Sequence, residues 1–282
     1  MKKSTFFVFM SAVLFATGGL FFKVIEWNAM AISSARSILA GTMILTILLA
    51  KKHKFVINRN VVIAALSISC TNMLYALANK LTTAGNTIVL QFSMPVFVIL
   101  IMAVAFKKKP TRLEIFTCFA VLGGIICFFV DSLSAGNMLG NLLALLSGIS
   151  YACFFIFNSR EDSEPFTAVV LSYALTAIIG LPWLIRTEIA GTAPVQLLAV
   201  LALGLLQQGL AQICFALGIK DTPAVAASLI SGIEPVLNPV LVALICNEKL
   251  TLLSLIGAAI VLVSILAYNI ITTRLGEKCA EK

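Results

Sequence analysis

Two corresponding stretches decide how this chain is read. Lys80-Leu81-Thr82-Thr83-Ala84, Met94-Pro95-Val96 and Lys109-Pro110-Thr111 recur 140 residues later as Lys220-Asp221-Thr222-Pro223-Ala224, Glu234-Pro235-Val236 and Lys249-Leu250-Thr251. At that single offset Asn72 to Val130 aligns with Gln212 to Ile270 without a gap, and 14 of the 59 positions are identical. Shared apolar composition explains some matches, but not the paired Lys, Thr and Pro. At a slightly shorter offset Ser11 and Ala16 match Ser147 and Ala152, so the first apolar run also has its counterpart. The chain reads as one unit written twice.

Composition names the solvent of that unit. Hydrophobic residues make up 60% and charged residues 11% of the 282, against roughly 25% charged in a soluble domain. So few charges cannot cover a water-facing surface, and the solvent is lipid. A cytosolic enzyme, a secreted disulfide scaffold and a disordered regulator are excluded together, because each needs polar surface or polar chain. A hydrocarbon core about 30 Å thick takes about 20 apolar residues per helix. Ten such runs are found: Ser4–Phe22, Ala29–Ala50, Asn60–Leu81, Ala84–Phe106, Thr111–Val130, Asn137–Phe157, Pro165–Ile185, Pro194–Leu217, Thr222–Ile245 and Leu250–Ile271. The first run, behind Lys2 and Lys3, has two features of a signal peptide, but it is long and no A-x-A site follows it, so it is expected to stay as a span.

Basic residues in short loops stay in the cytoplasm. With the N-terminus inside, fifteen Lys and Arg fall on the inner side, including Lys51, Lys52, Lys54, Arg59, Lys107 to Lys109, Arg112 and Arg160. Only Lys23, Lys80, Arg186 and Lys249 fall outside. The expected location is therefore the cytoplasmic membrane, multi-pass, with both termini cytoplasmic. The net charge of +8 lies wholly on the inner face, where it orients the chain and attracts anionic lipid. It is scattered between apolar runs, so no nucleic-acid partner is expected. Seven Cys without a C-x-x-C pair read as small reduced hydrophobes, and the single His53 sits in a Lys-rich loop, so neither metal nor cofactor is expected. Trp27 and Trp183 read as interfacial anchors.

Because five spans are odd in number, the second copy enters the membrane from the opposite side. The expected fold is an all-α integral membrane protein, with ten transmembrane helices as two inverted five-helix repeats, residues 1–134 and 135–273, and a cytoplasmic tail at 274–282. Inverted repeats are the architecture of secondary transporters. The segment from Glu234-Pro235 through Asn238-Pro239, Asn247-Glu248-Lys249 and Thr251 to Gly257 closely resembles the second-repeat signature of EamA-type members of the drug/metabolite transporter superfamily. That resemblance implies an all-helical carrier, commonly an exporter of amino acids, amines or related metabolites, with a central cavity between the repeats. The first copy departs from it: Met94-Pro95 replaces Glu-Pro, and Lys107 to Lys109 replace Asn-Glu-Lys.

An ionisable residue deep in a span is costly and functional by default. Glu234, 12 residues into its span, would lie about 18 Å deep. It suits a counter-charge for a cationic or zwitterionic substrate, a proton-coupling site, or a structural carboxylate. Arg36 reads first as a brace between helices, with binding of a substrate carboxylate as the alternative. Proline inside a helix frees the carbonyl four residues earlier, so Pro95, Pro235 and Pro239 mark helix breaks and gating positions. Helical spacing gathers Asn72, Tyr75 and Asn79, then Thr87 and Gln91, Gln208 and Gln212, and Ser231, Glu234 and Asn238, each set on one face. Tyr151 and Phe155 add an aromatic wall. The substrate-binding set is expected to be Asn72, Tyr75, Gln91, Tyr151, Gln208, Gln212, Ser231, Glu234 and Asn238. Gly18, Gly19, Gly123, Gly124, Gly148 and Gly257 are expected to let helices approach closely.

These features describe a polar midplane cavity with one acid, for a secondary active transporter moving a small polar metabolite by alternating access, as an exporter working as a monomer. Uptake of a cationic nutrient such as a quaternary amine fits the same residues, and so does a passive channel or a lipid-moving protein. An enzyme is not expected, because there is no histidine or paired acid within the membrane.

Overall fold

The computed structural model describes residues 3–107, 109–135, 137–158, 160, 162–219, 234–246 and 251–280. Ser231 lies outside them, as does the side chain of Pro239. The described residues form helices and no strand: α1 Lys3–Ala16, α2 Gly18–Val24, α3 Ala29–Ala50, α4 Arg59–Leu81, α5 Ala84–Gln91, α6 Met94–Ala105, α7 Arg112–Ala135, α8 Met138–Asn158, α9 Pro165–Ile185, α10 Pro194–Leu201, a π-helical segment Ala202–Leu210, α11 Ala211–Ile219, α12 Glu234–Cys246 and α13 Leu252–Ala280. Seven stretches of these are long and apolar enough to cross a membrane, counting α1 with α2, α5 with α6, and α10 through Gly218 as single stretches. The chain is a multi-pass membrane protein.

Local chemistry sets the helix starts. Asn28 accepts the Met30 N–H at 2.9 Å to open α3, and Asn58 accepts that of Val61 at 2.9 Å to open α4. At α7 the Thr111 N–H donates to Glu114 at 2.6 Å while the Glu114 N–H donates to the Thr111 hydroxyl at 3.2 Å, a reciprocal capping box. Lys52 (φ 52°) and Lys107 (φ 54°) close α3 and α6 in the left-handed region usually given to glycine.

Three of the expected continuous spans are interrupted. The first breaks at Thr17, whose hydroxyl donates to the Leu14 carbonyl at 2.6 Å. The fourth breaks at Phe92-Ser93, where the Ser93 hydroxyl donates to the Leu90 carbonyl at 2.6 Å. The break stands upstream of Pro95, which occupies the first turn of α6, where no backbone donor is needed. The eighth passes through the π-helical segment. The tenth does not stop at Ile271, because α13 continues to Ala280 through most of the expected tail.

Packing pairs α3 with α9, α7 with α13, α4 with α8, and α1 with α11. Gly148 on α8 lies where a Cβ would be 3.1 Å from the Gln91 carbonyl, so its lack of a side chain brings α8 against the fourth-span break. Gly124 on α7 faces Val261 and the Gly257 backbone of α13, whereas its neighbour Gly123, expected to act alike, has nothing within 4 Å. The largest apolar cluster among the described residues, including Phe22, Ile25, Ile32, Ile88, Leu90 and Leu203, lies away from the Lys51–Arg59 loop. On that side Trp27 donates to Thr192 at 2.9 Å. At the basic end Asn60 donates to the Asp162 carboxylate at 2.8 Å, and His53 lies 3.2 Å from Glu164. Burial pushes the Glu164 carboxyl up, but donation from the Thr167 hydroxyl and N–H, His53 and the Phe166 N–H outweighs it and holds the group below its ordinary value.

Candidate functional site

Inside the helices lies a cavity of about 630 Å³, within the range of small-molecule sites. Two of its polar residues come from facing elements, Arg36 from α3 and Glu234 from α12. Asn72, Tyr75, Gln91, Tyr151, Gln208 and Gln212 line it too, as do Pro95 and Pro235. Asn238 is fully buried beside Gly19 and is not part of the cavity wall. Asn79 and Thr87, which share faces with the expected set, instead donate to their own helices, to the Tyr75 carbonyl at 3.0 Å and the Thr83 carbonyl at 2.9 Å.

Met94 begins α6 with Pro95 second, and Glu234-Pro235 are the first described residues of α12. Both repeat-equivalent pairs line the cavity, one bearing a thioether and the other a carboxyl group.

Arg36 is 3% exposed. One Nη donates to the Asn72 carbonyl at 3.3 Å and to the Asn72 amide oxygen at 3.2 Å. Its guanidinium lies 5.0 Å from the Phe22 ring centroid, a cation–π distance. Phe22 in turn meets Tyr75 edge-on at 6.0 Å. The sequence reading preferred a bracing role, and the bracing contact is present. Yet the Arg36 Nε has no partner among the described residues, and neither do the Asn72 Nδ2, the Gln207 Oε1 and the Gln208 Oε1. Buried polar atoms are normally paired. Asn158, another lining residue, likewise has an amide oxygen without a partner among the described residues, so five lining residues each hold one buried, unpartnered polar atom.

Gln91 donates to the Ser147 hydroxyl at 3.3 Å, tying the broken fourth span to α8. Tyr151 stacks on Phe154 at 6.0 Å and meets Phe155 edge-on at 5.0 Å, which forms an aromatic side to the chamber. Sequence spacing missed Gln207, Phe154, Ser172 and Tyr173, all of which face the cavity. Gln207 adjoins Gln208, and a period of 3.6 assigns neighbours to different faces. The wider π turn lets both reach the chamber. No group of His, Cys, Asp and Glu able to hold a metal is found among the described residues.

Fold and cavity together define a membrane protein with an internal chamber sized for a small molecule. The chain belongs to the EamA-like transporter family, whose model matches residues 2–130 and again 138–270. It is 26% identical over 214 residues to "Uncharacterized transporter YwfM" of Bacillus subtilis (strain 168), covering 74% of this chain and 72% of that one. It is 24% identical over 219 residues to an "Uncharacterized transporter" of Clostridium kluyveri, covering 73% and 70%. A crystal structure superposes with a TM-score of 0.66 at 17% identity over 96% of this chain and 98% of that chain, a likeness of fold. Family and relatives point to membrane transport rather than catalysis.

Proposed function

We propose that this protein is a secondary transporter of ten spans, two inverted five-helix repeats with both termini in the cytoplasm, which exports a small metabolite bearing a carboxylate and an amino group across the cytoplasmic membrane by alternating access. The observation that carries the substrate reading is the presence of Arg36 and Glu234 in one cavity. A zwitterion presents its carboxylate to Arg36 and Asn72, and its ammonium group to Glu234, Gln207 and Gln208. Glu234 is also the site proposed for proton coupling, because it can exchange a substrate ammonium for a proton.

Two further observations support the architecture. The family model matches twice, once per expected repeat. The helix pairing is also unchanged when the halves are exchanged: second with seventh span, fifth with tenth, and first with eighth as third with sixth. Outward direction follows the habit of the family.

Counterflow in proteoliposomes tests the reading, with a panel of amino acids, the matching amines and the matching carboxylates. Arg36→Gln should raise KM for the amino acid about 10- to 100-fold, as expected for losing a charge-assisted pair, and leave that of the amine within about twofold. Glu234→Gln should abolish the dependence on a pH gradient. Monodisperse elution of each variant separates lost recognition from lost folding. Equal losses for the amine and the amino acid, or an unchanged pH response, would overturn the assignment.

A further inference from the structure

A second cavity, of about 480 Å³, lies at the basic end between α6, the start of α7, the end of α8 and α13. Its mouth carries Lys109 and Arg160, and its floor is Val98, Ile99, Met102 and Ile156. Met94, Pro95 and Phe155 line both this cavity and the central one, so the two share a wall.

The charges at the mouth are unequal. Glu114 is occupied: one carboxylate oxygen accepts from the Thr111 N–H at 2.6 Å and the other from the Tyr268 hydroxyl at 3.2 Å. Arg160 is held over the Phe106 ring, its Cζ at 4.7 Å from the centroid. No carboxylate among the described residues pairs with Arg160 or Lys109. The lining therefore carries two cations against one carboxylate, Glu114, beside an otherwise largely apolar wall.

We propose that this cavity binds an anionic phospholipid, with the phosphate at Lys109 and Arg160 and the first methylenes of one acyl chain over Val98 and Met102. Charge selects the headgroup, because a lining with two cations and one carboxylate is net positive and prefers a net negative lipid to a zwitterionic one. The apolar floor selects the tail, because an inorganic ion leaves it uncovered. A seated lipid would press on the Met94-Pro95 turn from the side opposite the central cavity, so lipid composition and the break in the fourth span are coupled. The assignment does not depend on which compound the central cavity carries.

The test is thermal unfolding of the full-length protein in an uncharged detergent, titrated with short-chain phosphatidylglycerol, short-chain phosphatidylcholine or inorganic phosphate. Phosphatidylglycerol should raise the midpoint saturably, and the other two should not. In Lys109→Ala/Arg160→Ala the concentration for half the effect should rise on the order of 30-fold, from two lost headgroup contacts, while the midpoint without lipid stays unchanged. Met102→Asp, which keeps both cations, should weaken the same titration. Equal stabilisation by phosphatidylcholine, saturation by inorganic phosphate alone, or an unaltered titration in the double variant would each overturn the proposal.

Discussion

Two adjacent glycines on α7 should answer the same substitution in opposite ways. At Gly124 an added Cβ would lie 2.7 Å from a Val261 methyl and 2.9 Å from the Gly257 carbonyl oxygen of α13. Both distances fall short of ordinary van der Waals contact by about half an ångström or more. The carbonyl is backbone and cannot turn aside, so α7 and α13 must separate. Overpacking of this kind costs about 1–3 kcal/mol. At Gly123 the same Cβ meets nothing within 4 Å. Replacing a mid-helix glycine by alanine contributes about 1 kcal/mol in favour of the helix at either site. That gain cancels in the comparison, so Gly124→Ala should be about 1–3 kcal/mol less stable than Gly123→Ala. Gly123→Ala itself should equal or exceed the parent protein. Thermal unfolding of the three proteins in one detergent measures the difference. If Gly124→Ala melts with or above Gly123→Ala, the reasoning about the α7–α13 seam fails.

Other expectations follow from the loops. Lys52 holds φ at 52°, where a side chain costs about 1 kcal/mol, so Lys52→Gly should raise the unfolding midpoint slightly and Lys52→Val should lower it. Because the fold holds Glu164 below its ordinary value, that group contributes stability that is complete above the unfolded carboxylate range and lost as pH falls below it. Glu164→Gln should flatten the acid limb of a stability–pH curve and leave its alkaline limb alone.

The length of the apolar runs made much of the fold legible, because hydrocarbon thickness sets helix length and loop chemistry sets the ends. The second and seventh runs coincide with α3 and α9 at both termini. The interruptions were not legible. Thr17 and Ser93 are unremarkable within apolar sequence, and each acts through a hydroxyl that accepts one helical shape over another. Pro95 signalled a break in its own span but not its placement upstream, at Phe92-Ser93. Arg36 and Glu234 were visible by residue type, and the bracing contact expected of Arg36 is present in its bonds to Asn72, but sequence spacing does not say that Arg36 also lines the cavity. Gln207 was hidden by a helix of the wrong period. Gly123 and Gly124 look identical in sequence, and only the position of α13 separates them.

Arg36 and Glu234, facing one chamber, also have an electrical consequence. A membrane potential does work of about 2.3 kcal/mol on each unit charge moved through 100 mV. Under the proposed alternating access, side chains of opposite formal charge in one compartment contribute no net charge to the motion, and the proposed zwitterion adds none. Voltage would then act only on an accompanying proton, and the current measured per molecule carried would count those protons directly.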